Sequence, residues 1–70
     1  MAVATLVGIL EDDDKKQIAF ELDNESVVWG DARTLRSEIA QTGLRVGDVI
    51  DYTLKDTGEL GFFRVVTQDR

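Results

Sequence analysis

The fold is decided at residues 44–54, which read Leu44-Arg45-Val46-Gly47-Asp48-Val49-Ile50-Asp51-Tyr52-Thr53-Leu54. The pair Gly47-Asp48 is typical of a tight turn, and the β-branched and aromatic residues that follow it favour a strand. Residues 55–59 then reverse the chain and residues 60–67 run back, with Gly58 where a hairpin loop needs a left-handed backbone. This stretch predicts the closing hairpin of a small β-barrel.

The N-terminal part of the chain predicts three more strands separated by polar turns. Residues 3–10 are apolar at both alternating positions, which predicts a central strand buried on both sides, with Gly8 at a bend or bulge. Residues 17–22 alternate and predict a strand with Ile18, Phe20 and Leu22 facing inward. Residues 27–29 predict a short third strand after a turn at 23–26.

After residue 30 the spacing of apolar residues changes from every second residue, as in a strand, to every third or fourth residue, as in a helix. Asp31 predicts the N-cap of this helix, and Gly43 predicts its C-terminal stop. Leu35 and Ile39 share one face at helical spacing, so we expect the helix to be held by packing these two side chains onto the barrel.

The resulting order is three strands, one helix and two strands. This is the order of the OB-fold, a five-stranded, partly open Greek-key barrel with a helix between strands three and four. We therefore expect an all-β protein, a small β-barrel of OB type, that forms a single domain over residues 1–70; a β-grasp or another small barrel is the nearest alternative. The candidate core residues are Val3, Leu6, Ile9, Leu10, Ile18, Phe20, Leu22, Val28, Trp29, Leu35, Ile39, Leu44, Val46, Val49, Ile50, Tyr52, Leu54, Phe62, Val65 and Val66.

Composition excludes several kinds of site. The chain has no Cys and no His, which rules out disulfides, thiolate sites and imidazole sites. A domain of 70 residues has enough apolar side chains for one core but not for a deep ligand pocket as well. No apolar run reaches the length of a membrane span, and the N-terminus lacks the pattern of a signal peptide. We expect a cytoplasmic protein that has no cofactor and no membrane contact.

Two motifs suggest chemistry but are better explained as turns. Asp56-Thr57-Gly58 matches the triplet of aspartic proteases, yet charged Lys55 and Glu59 flank it, so a hairpin turn is the better interpretation. The run of acids at 11–14 lacks the alternating oxygen ligands and central glycine of a calcium loop, so a solvated turn is the better interpretation there. We expect no metal site, no catalytic residue and no enzymatic activity.

The charge is unevenly distributed along the chain. The formal net charge is −6, and residues 1–25 alone carry seven acids against two lysines. An acidic domain is repelled by the phosphate backbone on average, so a nucleic-acid surface has to be local and built from arginines. The same acids favour a basic protein surface as partner. That alternative acidic surface comprises Glu11, Asp12, Asp13, Asp14, Glu21, Asp23 and Glu25.

Several short segments resemble the small OB-fold domains of the ribosomal S1 type, as in the shortest bacterial translation initiation factor. The segments are Leu6-Val7-Gly8, Phe20-Glu21-Leu22-Asp23-Asn24 with Val27-Val28, Val46-Gly47-Asp48-Val49, and Gly58 with Phe63-Arg64. The resemblance implies an OB barrel and contact with RNA. The chain departs from that family at Glu25, where the family usually has Gly, and in being acidic where the family's RNA-contacting surface is basic.

Two functions therefore stay open. The first is a non-enzymatic module that binds single-stranded RNA or DNA or joins a ribonucleoprotein complex, through aromatic stacking and local positive charge. Phe62 and Phe63 face opposite sides of their strand, so one is in the core and the other can serve a surface. The candidate contacts are Trp29, Arg33, Arg36, Arg45, Phe63 and Arg64. The second function is an acidic protein-interaction module that docks on a basic surface of the transcription, translation or replication machinery.

Overall fold

The structure, a computed structural model, describes residues 2–66. Five antiparallel strands form one sheet in the order β3-β2-β1-β4-β5, and one helix lies between β3 and β4 in the chain. The predicted order of strands and helix is confirmed, while Thr67 of the predicted last strand lies outside the described residues. The elements are β1 (Ala2–Asp12), β2 (Gln17–Leu22), β3 (Val27–Asp31), α1 (Ala32–Thr42), β4 (Val49–Leu54) and β5 (Leu60–Val65).

Strand β1 is long because it serves two partners in succession. Residues 2–5 pair with β4, and from Leu6 onward the strand pairs with β2, with a register shift between Leu6 and Gly8. The predicted turn at Gly47-Asp48 lies against this shift. The amide of Leu6 donates to the carbonyl of Asp48 at 2.8 Å, and the amide of Gly47 donates to the carbonyl of Leu6 at 2.8 Å. The turn that opens β4 therefore also anchors the bulge of β1.

The two edge strands, β3 and β5, approach each other across the molecule. Some of their Cα atoms lie within 8 Å of one another. The two strands are not hydrogen-bonded neighbours, so the sheet formed by the described residues is not closed. The sheet curves around one apolar core.

Helix α1 begins and ends where its caps predict. The Asp31 carboxylate accepts a hydrogen bond from the amide of Thr34 at 3.0 Å, and Gly43 has φ 69° with its amide donating to the carbonyl of Ile39 at 2.9 Å. Leu35 is buried against Gly30 of β3. A Cβ atom added to Gly30 would lie only 2.8 Å from Leu35 Cδ1. A residue without a side chain thus lets the helix pack closely on the sheet.

The outer face of β1 corrects one prediction. The expectation that β1 is buried on both sides is wrong, because Val3 is 63 % and Val7 is 52 % exposed. The helix contacts β2 and β3 on the inner side, so the outward side chains of β1 stay open to solvent. The other core candidates that are exposed are Leu10, Val46, Leu54, Phe62 and Val66.

The core that does form centres on the inward residues of the strands. Phe20, Leu6, Ile18 and Ile50 are the largest fully buried side chains. Buried alanines and two side chains of β5 complete the core. The buried hydrophobic residues outside the candidate set are Ala4, Ala19, Ala32, Leu60 and Phe63.

No helix within residues 2–66 combines the length and apolarity that crossing a membrane requires.

Candidate functional site

Trp29 lies in a shallow groove between two turns. Its neighbours in β3, Val28 and Gly30, are buried, so Trp29 points outward from the sheet and is half-buried. The groove has a volume of about 340 Å³ and opens to solvent. Its walls come from the β1–β2 turn, from β2 and from the β4–β5 turn. The residues that line it are Lys15, Gln17, Trp29, Thr57, Gly58 and Glu59.

Both turns that frame the groove are held by hydrogen bonds. In the β1–β2 turn the amide of Lys15 donates to Asp12 Oδ1 at 3.2 Å, and the carbonyl of Lys16 accepts from the amide of Ala32 at the start of α1 at 3.0 Å. In the β4–β5 turn the amide of Gly58 donates to the carbonyl of Lys55 at 2.9 Å, and Gly58 has φ 90°. The two turns are therefore fixed mainly by backbone hydrogen bonds, with one contribution from the Asp12 side chain.

The outward residues of β1, β2 and β3 form one continuous face that includes Trp29. The strand register places Leu10, Ala19 and Trp29 side by side across the three strands. Ala19 is fully buried although it points outward, as expected for a methyl group between two larger side chains. Val27, also in β3, is 48 % exposed. The centre of this face is apolar.

Carboxylates surround this apolar centre. Asp12, Gln17 and Asp31 form the neighbouring row of the register on one side, and Glu21 lies between Gly8 and Val27 on the other. The Glu21 side chain lies directly over Gly8, where an added Cβ atom would collide with its carboxylate. We call this surface the acid-rimmed face; it comprises Gly8, Leu10, Asp12, Gln17, Ala19, Glu21, Val27, Trp29 and Asp31.

Hydrogen bonds from Thr34, in the first turn of α1, stabilise the ionised form of Asp31. The amide and hydroxyl of Thr34 both donate to Asp31 Oδ2, at 3.0 and 3.1 Å, and these two hydrogen bonds lower the pKa of Asp31 below its usual value. Hydrogen bonds that favour the charged form keep a carboxyl ionised. The rim of the face therefore keeps this negative charge under mildly acidic conditions.

The structure does not gather the predicted arginines into one basic patch. Arg36 pairs with Glu11 at 3.0 Å, and Arg64 pairs with Asp51 at 3.4 Å. Arg64 lies on β5 and does not line the groove that contains Trp29. Arg33 and Arg45 are exposed, one on the helix and one after it. Trp29 is therefore the only predicted nucleic-acid contact that lines the groove between the two turns.

The expectation that Phe63 serves a surface is wrong. Phe63 is buried and meets Phe20 edge to face, with ring centroids 5.4 Å apart. Its neighbour Phe62 is the exposed member of the pair. Because neighbouring residues of a strand point to opposite faces, the sequence predicts that only one of the two rings lies in the core. Which ring that is depends on the register between β5 and β4.

The predicted acidic surface divides into two groups at the two ends of β2, with Glu21 on the strand between them. Glu11, Asp12, Asp13 and Asp14 lie beside the groove, at the end of β1 and in the following turn. Asp23 and Glu25 lie in the β2–β3 turn, at the other end of β2. Asp23 is used structurally there, since its Oδ1 accepts from the amide of Thr5 at 3.0 Å.

Glu25 occupies a left-handed position. Its φ is 69°, a conformation that glycine adopts easily and residues with a side chain adopt rarely. The amide of Glu25 donates to the carbonyl of Leu22 at 3.2 Å, so the turn closes in spite of the side chain.

The other two motifs were predicted as turns, and the acidic run meets this only in part: Glu11 and Asp12 belong to β1, and the turn comprises residues 13–16. Asp56, Thr57 and Gly58 are exposed in the β4–β5 turn, which confirms the hairpin interpretation of this triplet. Within residues 2–66 no group of three or more acids is arranged to hold a metal ion.

Sequence reasoning missed most of the groove. Lys15, Gln17 and Glu59 carry no motif of their own, and Thr57 belongs to a triplet that predicts only a turn. The signal that could have found them is the expected fold, since OB barrels bind ligands on strands two and three and on the two turns beside them.

No family model, no curated protein and no solved structure matches the chain.

Proposed function

We propose that the chain is a non-enzymatic binding module that docks its acid-rimmed face on a basic segment of another protein. The main support is that Leu10, Ala19 and Trp29 lie side by side across β1, β2 and β3 and form an apolar strip between flanking carboxylates. Such a face fits a segment that carries apolar side chains between lysines or arginines. A small regulator that docks on the transcription, translation or replication machinery would use it in this way.

The proposal includes an OB-type, Greek-key arrangement for the barrel. Its support is the order β3-β2-β1-β4-β5, with β1 shared between β2 and β4 and the helix between β3 and β4. The location of the groove, against β2, β3 and two turns, agrees with it. The resemblance to S1-type domains and the cytoplasmic location stay predictions.

Single-stranded nucleic acid is the second candidate partner, and the groove favours it. Trp29 offers a stacking surface, and Lys15 lies beside it. A base stacked on an aromatic side chain contributes about 1–3 kcal/mol to binding. A module of a ribonucleoprotein complex could use the groove in this way.

Charge around the groove supports the protein segment over nucleic acid as the partner. The end of β1 and the two turns, residues 11–16 and 55–59, carry six acids and three lysines, and one of these acids, Glu11, is paired with Arg36. A phosphate backbone approaching this end meets net repulsion, whereas a basic segment is attracted. Because the arginines that would have compensated are paired with acids or lie elsewhere, a basic protein segment is the better fit.

The experiment uses the fluorescence of Trp29, which is the only tryptophan of the chain. The probes are a synthetic peptide of alternating lysine and leucine, and short RNA and DNA oligomers, each titrated at low and moderate salt. We expect the peptide to change the emission of Trp29 at lower concentration than either oligomer, and added salt to weaken this response.

Two lysine variants make the result specific to the site. Asp14→Lys reverses a charge beside the groove, whereas Glu25→Lys makes the same change at the far end of β2. Asp14→Lys should weaken peptide binding by about two- to fivefold and strengthen oligomer binding, as expected for one exposed ion pair. Glu25→Lys should change either affinity less. If oligomers bound more tightly than the peptide, the nucleic-acid candidate would replace the proposal, and if no probe changed the emission both would be wrong.

A further inference from the structure

The two edge strands approach each other along a line that borders the groove. Neighbouring strands of the sheet are antiparallel, so β3 and β5, with three strands between them, run in the same direction. Gly30 lies beside Leu60, because a Cβ atom added to Gly30 would be 3.6 Å from Leu60 Cβ. We call this line the β3–β5 seam; it is formed by residues 29–31 and 59–61.

Trp29 and Glu59 lie on the outer side of this seam. Gly30 and Leu60, which follow them in the chain, are buried on the inner side, so the residue before each of them points outward. Trp29 and Glu59 both line the groove, and both are partly buried. The groove therefore brings together an indole ring from one edge strand and a carboxylate from the start of the other.

The Glu59 carboxylate is available to a ligand. Within residues 2–66 the ion pairs are those of Arg36 with Glu11 and of Arg64 with Asp51, so Glu59 has no cation of its own there. The backbone of Glu59 is fixed, since its carbonyl accepts a hydrogen bond from the amide of Lys55 at 2.7 Å. A partly buried carboxylate on a fixed backbone is a favourable place for a cation from outside the chain.

We propose that the groove binds one arginine side chain of the partner segment, with its guanidinium stacked on Trp29 and paired with Glu59. This inference rests on the proposed function, because it names the side chain by which the basic segment is recognised. A guanidinium is planar, stacks on aromatic faces and presents its donors in a fork that fits a carboxylate. The groove offers partners for both of these interactions at once.

The remaining lining of the groove suits a cation that has several donors. Gln17 offers an amide oxygen and Thr57 a hydroxyl oxygen, and a guanidinium carries five N–H donors. The volume of about 340 Å³ lies near the lower end of the range for ligand sites, about 300–1,000 Å³. A single side chain therefore fits the groove better than a larger ligand does.

The same features favour arginine over lysine. An ammonium group is a compact, strongly hydrated charge, which neither lies flat on an indole ring nor matches both oxygens of a carboxylate. Lys15 also lines the groove, but it is exposed on a turn and has a flexible stem. Its ammonium group can turn into solvent when another cation enters.

The test compares two peptides that differ at one position. The first alternates lysine and leucine, and the second has arginine in place of its central lysine. Binding is measured by the fluorescence anisotropy of a dye on the peptide, so that variants without tryptophan can be compared with the parent. We expect the arginine peptide to bind about two- to fivefold more tightly, as one partly exposed cation–π contact provides.

The outcomes separate this inference from the proposed function. If both peptides bound with equal affinity, the arginine site would be wrong while a basic segment remained the partner. If neither peptide bound, the proposed function and the arginine site would both be wrong.

Three variants locate the preference for arginine. Trp29→Leu keeps an apolar side chain but removes the ring, and it should abolish the preference. Glu59→Gln removes the charge at almost unchanged size and should reduce the preference, whereas Glu25→Gln makes the same change at the far end of β2 and should leave it unchanged. A preference that survived both Trp29→Leu and Glu59→Gln would place the arginine elsewhere and overturn the inference.

Circular dichroism checks that each variant is folded, and a measurement on the parent covers the case in which Trp29→Leu is not. The δ protons of an arginine stacked on Trp29 lie over the indole ring, where the ring current shields them. Their NMR signals should therefore move upfield when the arginine peptide binds. Signals that stayed in place in the bound peptide would contradict the stacking.

Discussion

Single side chains of α1 differ in how much they contribute to stability, and this leads to the first prediction. Leu35 is 4 % exposed in the core, whereas Ile39 is partly buried at its margin. Leu35→Ala should lower the free energy of unfolding by about 2–4 kcal/mol, as other large-to-small core substitutions do. Ile39→Ala should cost less, about 1 kcal/mol, because solvent already reaches this side chain. Urea denaturation measures both, and Val46→Ala, at an exposed loop position, is the control that should stay within about 0.5 kcal/mol of the parent. Equal losses for Leu35 and Ile39 would contradict the packing of the helix described above.

At the residue scale, side chains along a strand point alternately to the two faces of the sheet, which predicts the residues that share a face. It does not predict which of the two faces is buried by other parts of the molecule. It separates Phe62 from Phe63 correctly, yet only the pairing of Tyr52 with Phe63 shows that Phe63 joins the core. It also places Val3 and Val7 on the face opposite to Leu6, but the sequence does not reveal that nothing within residues 2–66 covers that face. Burial is a property of neighbours distant in sequence, which a local pattern does not contain.

At the scale of the element, the N-cap of α1 gives a pH-dependent prediction. Hydrogen bonds from Thr34 lower the pKa of Asp31 in the folded protein, so this carboxylate stabilises the fold above its unfolded pKa, near 3.8. That contribution is lost as the pH falls through the lower folded pKa. Asp31→Ala should therefore destabilise the protein at pH 7 and have a smaller effect at pH 2–3, whereas Asp31→Asn should keep most of the cap. Thermal melts at the two pH values provide the measurement. If Asp31→Ala lowered the Tm more at pH 2–3 than at pH 7, the prediction would be wrong.

The elements themselves could be predicted almost completely because their ends carry local signals. Asp31, Gly43 and the pair Gly47-Asp48 each determine a boundary through backbone geometry or a short hydrogen bond. The groove could not be predicted in the same way, because Gln17 and Thr57 meet only when β2, β3 and the β4–β5 turn come together. The ion pair between Arg36 and Glu11 likewise joins residues 25 positions apart.

For the whole molecule, the net charge of −6 leads to a prediction about salt. The molecule has a radius of gyration of 11.2 Å, so most of its acids lie only a few Debye lengths apart at physiological ionic strength. Their repulsion opposes folding, while the exposed ion pair of Arg36 with Glu11 contributes at most about 1 kcal/mol in the other direction. We expect repulsion to dominate, and raising sodium chloride from about 0.01 M to about 1 M should then stabilise the fold by about 1 kcal/mol, or about 4–8 °C in Tm.

The salt prediction is tested by thermal melts of the parent and of a double variant, Asp13→Asn with Asp14→Asn. These two acids are exposed in the β1–β2 turn and their removal changes the net charge from −6 to −4, so the variant should melt higher at low salt and respond less to added salt. The comparison isolates charge repulsion, because a general effect of salt on apolar burial acts on parent and variant alike. A Tm that fell with salt in the parent would show that its ion pairs outweigh its repulsion. In that case Arg36→Gln should remove most of the fall, since it breaks the contact between α1 and Glu11.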